Sequence, residues 1–215
     1  MGFRKAEARG NFLAFEGIDG SGKTTQIALL KARLEVAGFT PVLCTKEPTD
    51  GPVGRLLRQV LTGETALEER AVAPLFTADR LDHLLNPKDG LCAALERGCN
   101  VLTDRYYFSS YAYQTGAGVP MERIIEANAP CAALLRPTAT VFLDLDPEEA
   151  LRRIAAGRGR TELFETRERL TAVRRNYLAA FERLRDVETV LTVDAALPSR
   201  ALAERLWEML KPFFQ

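Results

Sequence analysis

Short runs rich in Val, Leu, Phe and Thr alternate along this chain with longer stretches in which apolar positions recur every three or four residues. That alternation of periods predicts strand–helix crossover units and a parallel sheet. The predicted strands are 12–16 (FLAFE), 41–45 (PVLCT), 100–104 (NVLTD), 140–145 (TVFLDL) and 189–194 (TVLTVD). Helical period covers 23–37, 54–61, 68–85, 87–97, 121–127, 147–156, 166–184 and 198–213, with a further short helix after 104. The strands are almost continuously apolar, which implies that helices cover both faces of the sheet. The expected architecture is therefore α/β, a three-layer α/β/α fold on a five-stranded parallel sheet. With 215 residues and no repeat or linker, the chain is expected to form a single domain over 1–215. Ligands gather at strand carboxyl ends in open parallel sheets, so residues 16–24, 45–50 and 104–114 should converge.

Charge narrows the partners. Lys+Arg and Asp+Glu both number 29, so no broad basic surface for nucleic acid is expected and any useful positive charge must be local. Cys44, Cys92, Cys99 and Cys131 show no C-x-x-C spacing, and with His83 the sole histidine they cannot assemble a zinc set. Reduced thiols, no secretion signal at the start and no long apolar run predict a soluble cytoplasmic protein with no membrane partner.

The chemistry is concentrated in GIDGSGKTT, Gly17 to Thr25, directly behind the first predicted strand. Gly17, Gly22, Lys23 and Thr24 satisfy G-x-x-x-x-G-K-[ST] between a strand and a helix, the setting that a P-loop requires. Its glycines turn backbone N–H groups towards phosphate oxygens at a helix N-terminus. Gly17, Ile18, Asp19, Gly20, Ser21, Gly22, Lys23, Thr24 and Thr25 are thus the candidate ATP-binding residues of a P-loop NTPase fold. Lys23 is placed to meet the β and γ phosphates, and Thr24 with Asp104 to hold Mg²⁺. GTPases and machine-type ATPases share this loop, but the chain carries no N-K-x-D element and no D-x-x-G element outside the loop itself. Arg105, directly after Asp104, favours an anionic second substrate over water. A small-molecule kinase is the expectation.

Four motifs in order, EGIDGSGKTTQ, KEP (46–48), LFTADR (75–80) and DRYYFSSYAYQ (104–114), give the chain its resemblance to the thymidylate kinases, and the resemblance spans nearly its full length. It implies transfer of the γ-phosphoryl group of ATP to dTMP, with Mg²⁺, by a homodimer. Kinases of another deoxynucleotide or of a nucleoside, and a P-loop ATPase switch, remain the competing readings. The resemblance assigns the acceptor to Asp19, Pro48, Phe76, Arg80, Arg105, Ser109, Ser110, Tyr113 and Gln114. Arg105 would grip the acceptor phosphate, Phe76 and Arg80 the base, and Tyr113 the deoxyribose. Asp19 would position the sugar.

Phosphoryl transfer also demands cations around the migrating group. The loop positions from Ile18 to Ser21 hold no base, so the chain resembles the lid-arginine type common in bacteria. AAGRGRTELFE, residues 155–165, is the expected mobile lid, with Arg158 and Arg160 as its catalytic candidates and Gly157 and Gly159 as hinges. Lys23, Asp19, Asp104 and Arg105 complete the catalytic set. Arg167, Arg169, Arg174 and Arg175 read as a solvated helix face.

Overall fold

The computed structural model describes residues 10–116, 119–157 and 166–214. Among these, β1 (Phe12–Glu16), β2 (Val42–Lys46), β3 (Asn100–Asp104), β4 (Ala139–Asp144) and β5 (Val190–Asp194) form one sheet. Every pairing is parallel, in the order β2-β3-β1-β4-β5. The helices are α1 (Lys23–Val36), α2 (Pro52–Leu61), α3 (Glu69–Leu85), α4 (Leu91–Glu96), α5 (Tyr107–Tyr113), α6 (Met121–Leu134), α7 (Pro147–Gly157), α8 (Arg167–Leu184) and α9 (Ser199–Leu210). They lie on both sides of the sheet, and the expected α/β layering is the one observed.

Strand position decides burial. β1 is buried along its whole length and β3 and β4 nearly so, because each has neighbours on both sides. β2 and β5 are only half-buried although their sequences are equally apolar, since they form the sheet edges. β1 sits between β3 and β4, so the chain passes from one half of the sheet to the other after β3. The loops leaving β1 and β3 therefore open side by side, where such folds bind ligands.

Three boundaries differ from those predicted by three residues or more, each for a local reason. The helix predicted over 87–97 begins only at Leu91, because Asn86 accepts from the backbone N–H of Lys88 and its carbonyl from that of Gly90, making a turn. The helix predicted over 121–127 continues to Leu134 straight through Pro130. Proline removes one backbone bond there, and Asn128 adds one by donating from Nδ2 to the Ile124 carbonyl at 2.8 Å. The last helix tightens to a 3₁₀ turn over Lys211–Phe214, where Pro212 stands.

Candidate active site

The loop between β1 and α1 is shaped by left-handed backbone. Gly17, Gly20 and Gly22 have φ of 147°, 79° and 93°. A Cβ on Gly20 would lie 2.8 Å from the Ala150 carbonyl oxygen, so glycine is required there for both conformation and space. Ile18 turns its side chain into the core and contributes only main chain to the loop. Ser21 is buried, and its Oγ has no hydrogen-bond partner among the described residues. Lys23 folds its Nζ back onto the carbonyls of Gly17 at 3.1 Å and Ile18 at 3.2 Å. Burial, then Arg105, pull its ammonium below the ordinary lysine range, while Asp104, Asp19 and Glu16 oppose them. Thr24 and Thr25 are exposed on the first turn of α1. The Thr24 hydroxyl donates to Oδ2 of Asp104 at 2.7 Å, which joins the ends of β3 and the loop.

Arg105 follows Asp104 with φ 74°, a left-handed conformation that non-glycine residues seldom adopt. Two bonds pin it: its N–H donates to the Phe15 carbonyl at 2.9 Å, and Thr103 Oγ1 donates to its carbonyl at 2.9 Å. The resulting turn swings the guanidinium away from β3 and onto the loop. There Nη2 meets Asp19 Oδ1 at 2.5 Å and the Tyr113 hydroxyl at 3.2 Å, while Nη1 reaches Ser109 Oγ at 3.1 Å. Tyr113 in turn donates to Asp19 Oδ2 at 2.9 Å. Burial would raise the Asp19 carboxyl, but Arg105 and then Lys23 outweigh it and lower the value to about 2. Burial pushes the Tyr113 phenol up, so it remains a hydroxyl that can donate.

Behind this clamp stands Glu16, a carboxylate with no exposed surface at the end of β1. Its Oε1 accepts from the N–H groups of Tyr106 at 2.8 Å and Ser109 at 3.2 Å, which caps the start of α5. Its Oε2 accepts from Ser109 Oγ at 2.6 Å and Tyr177 Oη at 2.9 Å. Burial raises the Glu16 carboxyl and these donors oppose it. The sequence gives neither Glu16, which opens the EGIDGSGKTTQ motif, nor Tyr177 a role of its own. The signals for Glu16 are its place at the head of that motif and a charge closing an otherwise apolar strand.

Asp19, Pro48, Phe76, Arg105, Ser109, Tyr113 and Gln114 line one cleft of about 900 Å³, large enough to enclose a nucleotide. Oε1 of Gln114 is buried in its wall with no partner among the described residues. Arg169 also lines this cleft and donates from Nη2 to the Tyr113 carbonyl at 3.1 Å, so it does not belong to the solvated face read from the sequence. Arg174 leaves that face as well, gripping Asp144 through Nε at 2.6 Å and Nη2 at 2.8 Å.

Arg80 and Ser110 are placed differently from their companions. Both are buried behind the cleft wall and bond each other at 3.2 Å. Arg80 also donates to Glu47 Oε2 through Nε at 2.8 Å and Nη2 at 2.7 Å, and to Asn128 Oδ1. Glu47, which sequence reasoning passed over inside KEP, is thus the counter-ion of a fully buried guanidinium. From 158 onwards the predicted lid, with Arg158, Arg160 and Gly159, lies outside the described residues. Gly157, predicted as a hinge, is the last residue of α7. Arg152 and Arg153 both turn to Glu149 on their own helix.

Comparison with known proteins bears on the whole chain. A family model described as thymidylate kinase matches residues 15–206. A probable thymidylate kinase of Pyrobaculum calidifontis is 45% identical over 198 residues, covering 90% of this chain and 92% of that protein. A probable thymidylate kinase of Pyrococcus horikoshii is 40% identical over 85% of this chain and 88% of its own length. The thymidylate kinase of Thermomicrobium roseum is 41% identical over 91% and 92% respectively. With a loop, a clamp and a cleft in the order their motifs require, the chain belongs to the thymidylate kinase family.

Proposed function

We propose that this protein transfers the γ-phosphoryl group of ATP to dTMP, giving ADP and dTDP. The observation that carries the reading is the Arg105–Asp19 contact, which ties a cleft of nucleotide size directly to the phosphate loop. In this reading Gly17 to Thr25 wrap the donor phosphates, with Lys23 leaving its two loop carbonyls for phosphate oxygens. Arg105 takes the acceptor phosphate through its guanidinium fork. Asp19 and Tyr113 hold that fork and bound the space for the sugar, and Phe76 stacks on the base. Pro48, Ser109 and Gln114 shape the rest of the pocket, while Arg80 and Ser110 support it from behind. An acceptor phosphate oxygen then attacks Pγ, and the bond from Pγ to the bridging oxygen of ADP breaks. Arg158 and Arg160 are assigned to the charge on the migrating group.

Thr24 and Asp104 fit a Mg²⁺ ion, because a hydroxyl and a carboxylate already meet beside the loop and Mg²⁺ favours few protein ligands alongside phosphate oxygens. When bound, the ion neutralises charge on the donor phosphates. The reading extends to one domain acting as a homodimer in the cytoplasm; no helix of the described residues is long and apolar enough to cross a membrane. A panel of nucleoside monophosphates and thymidine, assayed with ATP and Mg²⁺, tests it. Fast ADP formation that depends on dTMP is expected, and equal rates with and without any acceptor would overturn it.

A further inference from the structure

His83 is the chain's sole histidine and carries no role in the reading above. It lies in the last turn of α3, nearly buried, with both ring nitrogens engaged. Nδ1 is 3.0 Å from Glu47 Oε1, and Nε2 is 2.8 Å from the Thr45 hydroxyl on β2. Glu47 uses its other oxygen, Oε2, for both contacts with Arg80. Arg80 stands one turn behind Phe76 on α3, faces the Tyr106 ring at 5.3 Å, and bonds Ser110 of α5 and Asn128 of α6. One buried guanidinium thus joins α3, α5, α6 and the end of β2, and its one anionic partner among the described residues is held in orientation by His83.

We propose that His83 is a positioning residue for the acceptor site. Its Nδ1–H fixes Glu47, which lines the cleft beside Pro48, and Glu47 fixes Arg80 behind Phe76. The contact across a carboxylate oxygen requires the hydrogen on Nδ1, since two acceptors would repel. Without that bond the Glu47 carboxylate can rotate, and a buried charge pair with a free rotor no longer defines one wall geometry. None of these side-chain hydrogen bonds involves a residue of the phosphate loop, so the loss should fall on acceptor binding.

This inference rests on the acceptor reading of the cleft, and three substitutions test it. His83→Asn keeps an N–H near the Nδ1 position, His83→Gln keeps a polar group near Nε2, and His83→Ala keeps neither. For the alanine and glutamine proteins we expect the acceptor KM to rise about tenfold, the loss expected when a buried charged group forfeits one hydrogen bond. Their kcat should stay within about twofold and the KM for ATP should not change. The asparagine protein should recover most of the acceptor KM. Equal behaviour of the asparagine and glutamine proteins, or a matching rise in the KM for ATP, overturns the inference while leaving the kinase reading intact. A wild-type protein that phosphorylates no monophosphate overturns the kinase reading first. Because one imidazole exists per chain, nitrogen-15 histidine spectra of the unmodified protein give an independent answer without any variant. A hydrogen on Nδ1 is required, and an Nδ1 without one refutes the arrangement even if every variant misfolds.

Discussion

The phosphate loop and the acceptor cleft meet at Asp19, yet they are built in opposite ways. The loop draws on nine consecutive residues and works mainly through backbone, so its shape depends on where glycine permits positive φ. The cleft draws side chains from the ends of β1, β2 and β3 and from α2, α3, α5 and α8, and each is held by partners far away in the chain. A backbone site tolerates almost any neighbour that respects its glycines. A side-chain site depends on every buried charge behind it being paired.

That contrast can be broken at either end, and the largest effect belongs to the loop. Lys23→Ala removes the one side-chain cation of the cradle, and kcat should fall by roughly 10²–10³, the range typical of losing a preorganised charge contact to a transition state. Folding should be preserved, because the lysine's hydrogen-bond partners are two carbonyls of the loop itself, those of Gly17 and Ile18. Steady-state rates alongside thermal unfolding check both halves of this expectation.

Arg105→Ala comes next. It removes the acceptor fork and leaves Tyr113 as the side chain still hydrogen-bonded to Asp19, so kcat/KM for dTMP should drop about 10²-fold, in line with the loss of a charge-assisted pair. The ATPase background without acceptor should hardly move. Arg105→Lys should restore only part of the loss, since an ammonium cannot reproduce the fork. A lysine protein with full dTMP kinetics would refute the bidentate role.

A smaller effect is expected from Tyr177→Phe. The phenol donates to Glu16 and touches Ser109 at 2.8 Å, so its loss leaves the buried carboxylate one donor short. Denaturant unfolding should show about 1–2 kcal/mol less stability, with a several-fold weaker acceptor KM through the loosened Ser109–Arg105 contact. This network also marks the limit of what the sequence revealed. The strands and their parallel α/β layering, the loop and the Arg105 position were legible because period and motif are local. Glu16 was not, since its donors Tyr106 and Tyr177 lie 90 and 161 positions away. For the same reason Glu47 and His83 had no assigned role: their significance comes from Arg80, which the resemblance gives to the base and which α3, α5 and α6 bury behind the cleft wall. Arg169 misled in the other direction, because an arginine among glutamates on a helix reads as solvated until α8 is laid against Tyr113.

The smallest effect sharpens the junction itself. Asp19 titrates near 2 in the folded protein against an ordinary 3.8, so the unfolded chain takes up its proton first as pH falls. A carboxyl lowered in this way contributes stability that is complete above pH 3.8 and is lost as pH falls through about 2. The span corresponds to about 2–3 kcal/mol at most, given that each unit is worth about 1.4 kcal/mol. In Asp19→Asn that pH-dependent part is missing, so unfolding free energies of the two proteins should differ most near pH 5 and converge towards pH 2. Glu16, whose carboxyl is raised, contributes with the opposite sign, but it is present in both proteins and drops out of their difference. A difference that stays constant from pH 5 to 2 would mean that Arg105 and Lys23 exert no net pull on Asp19, and the junction between loop and cleft would then rest on hydrogen bonds alone.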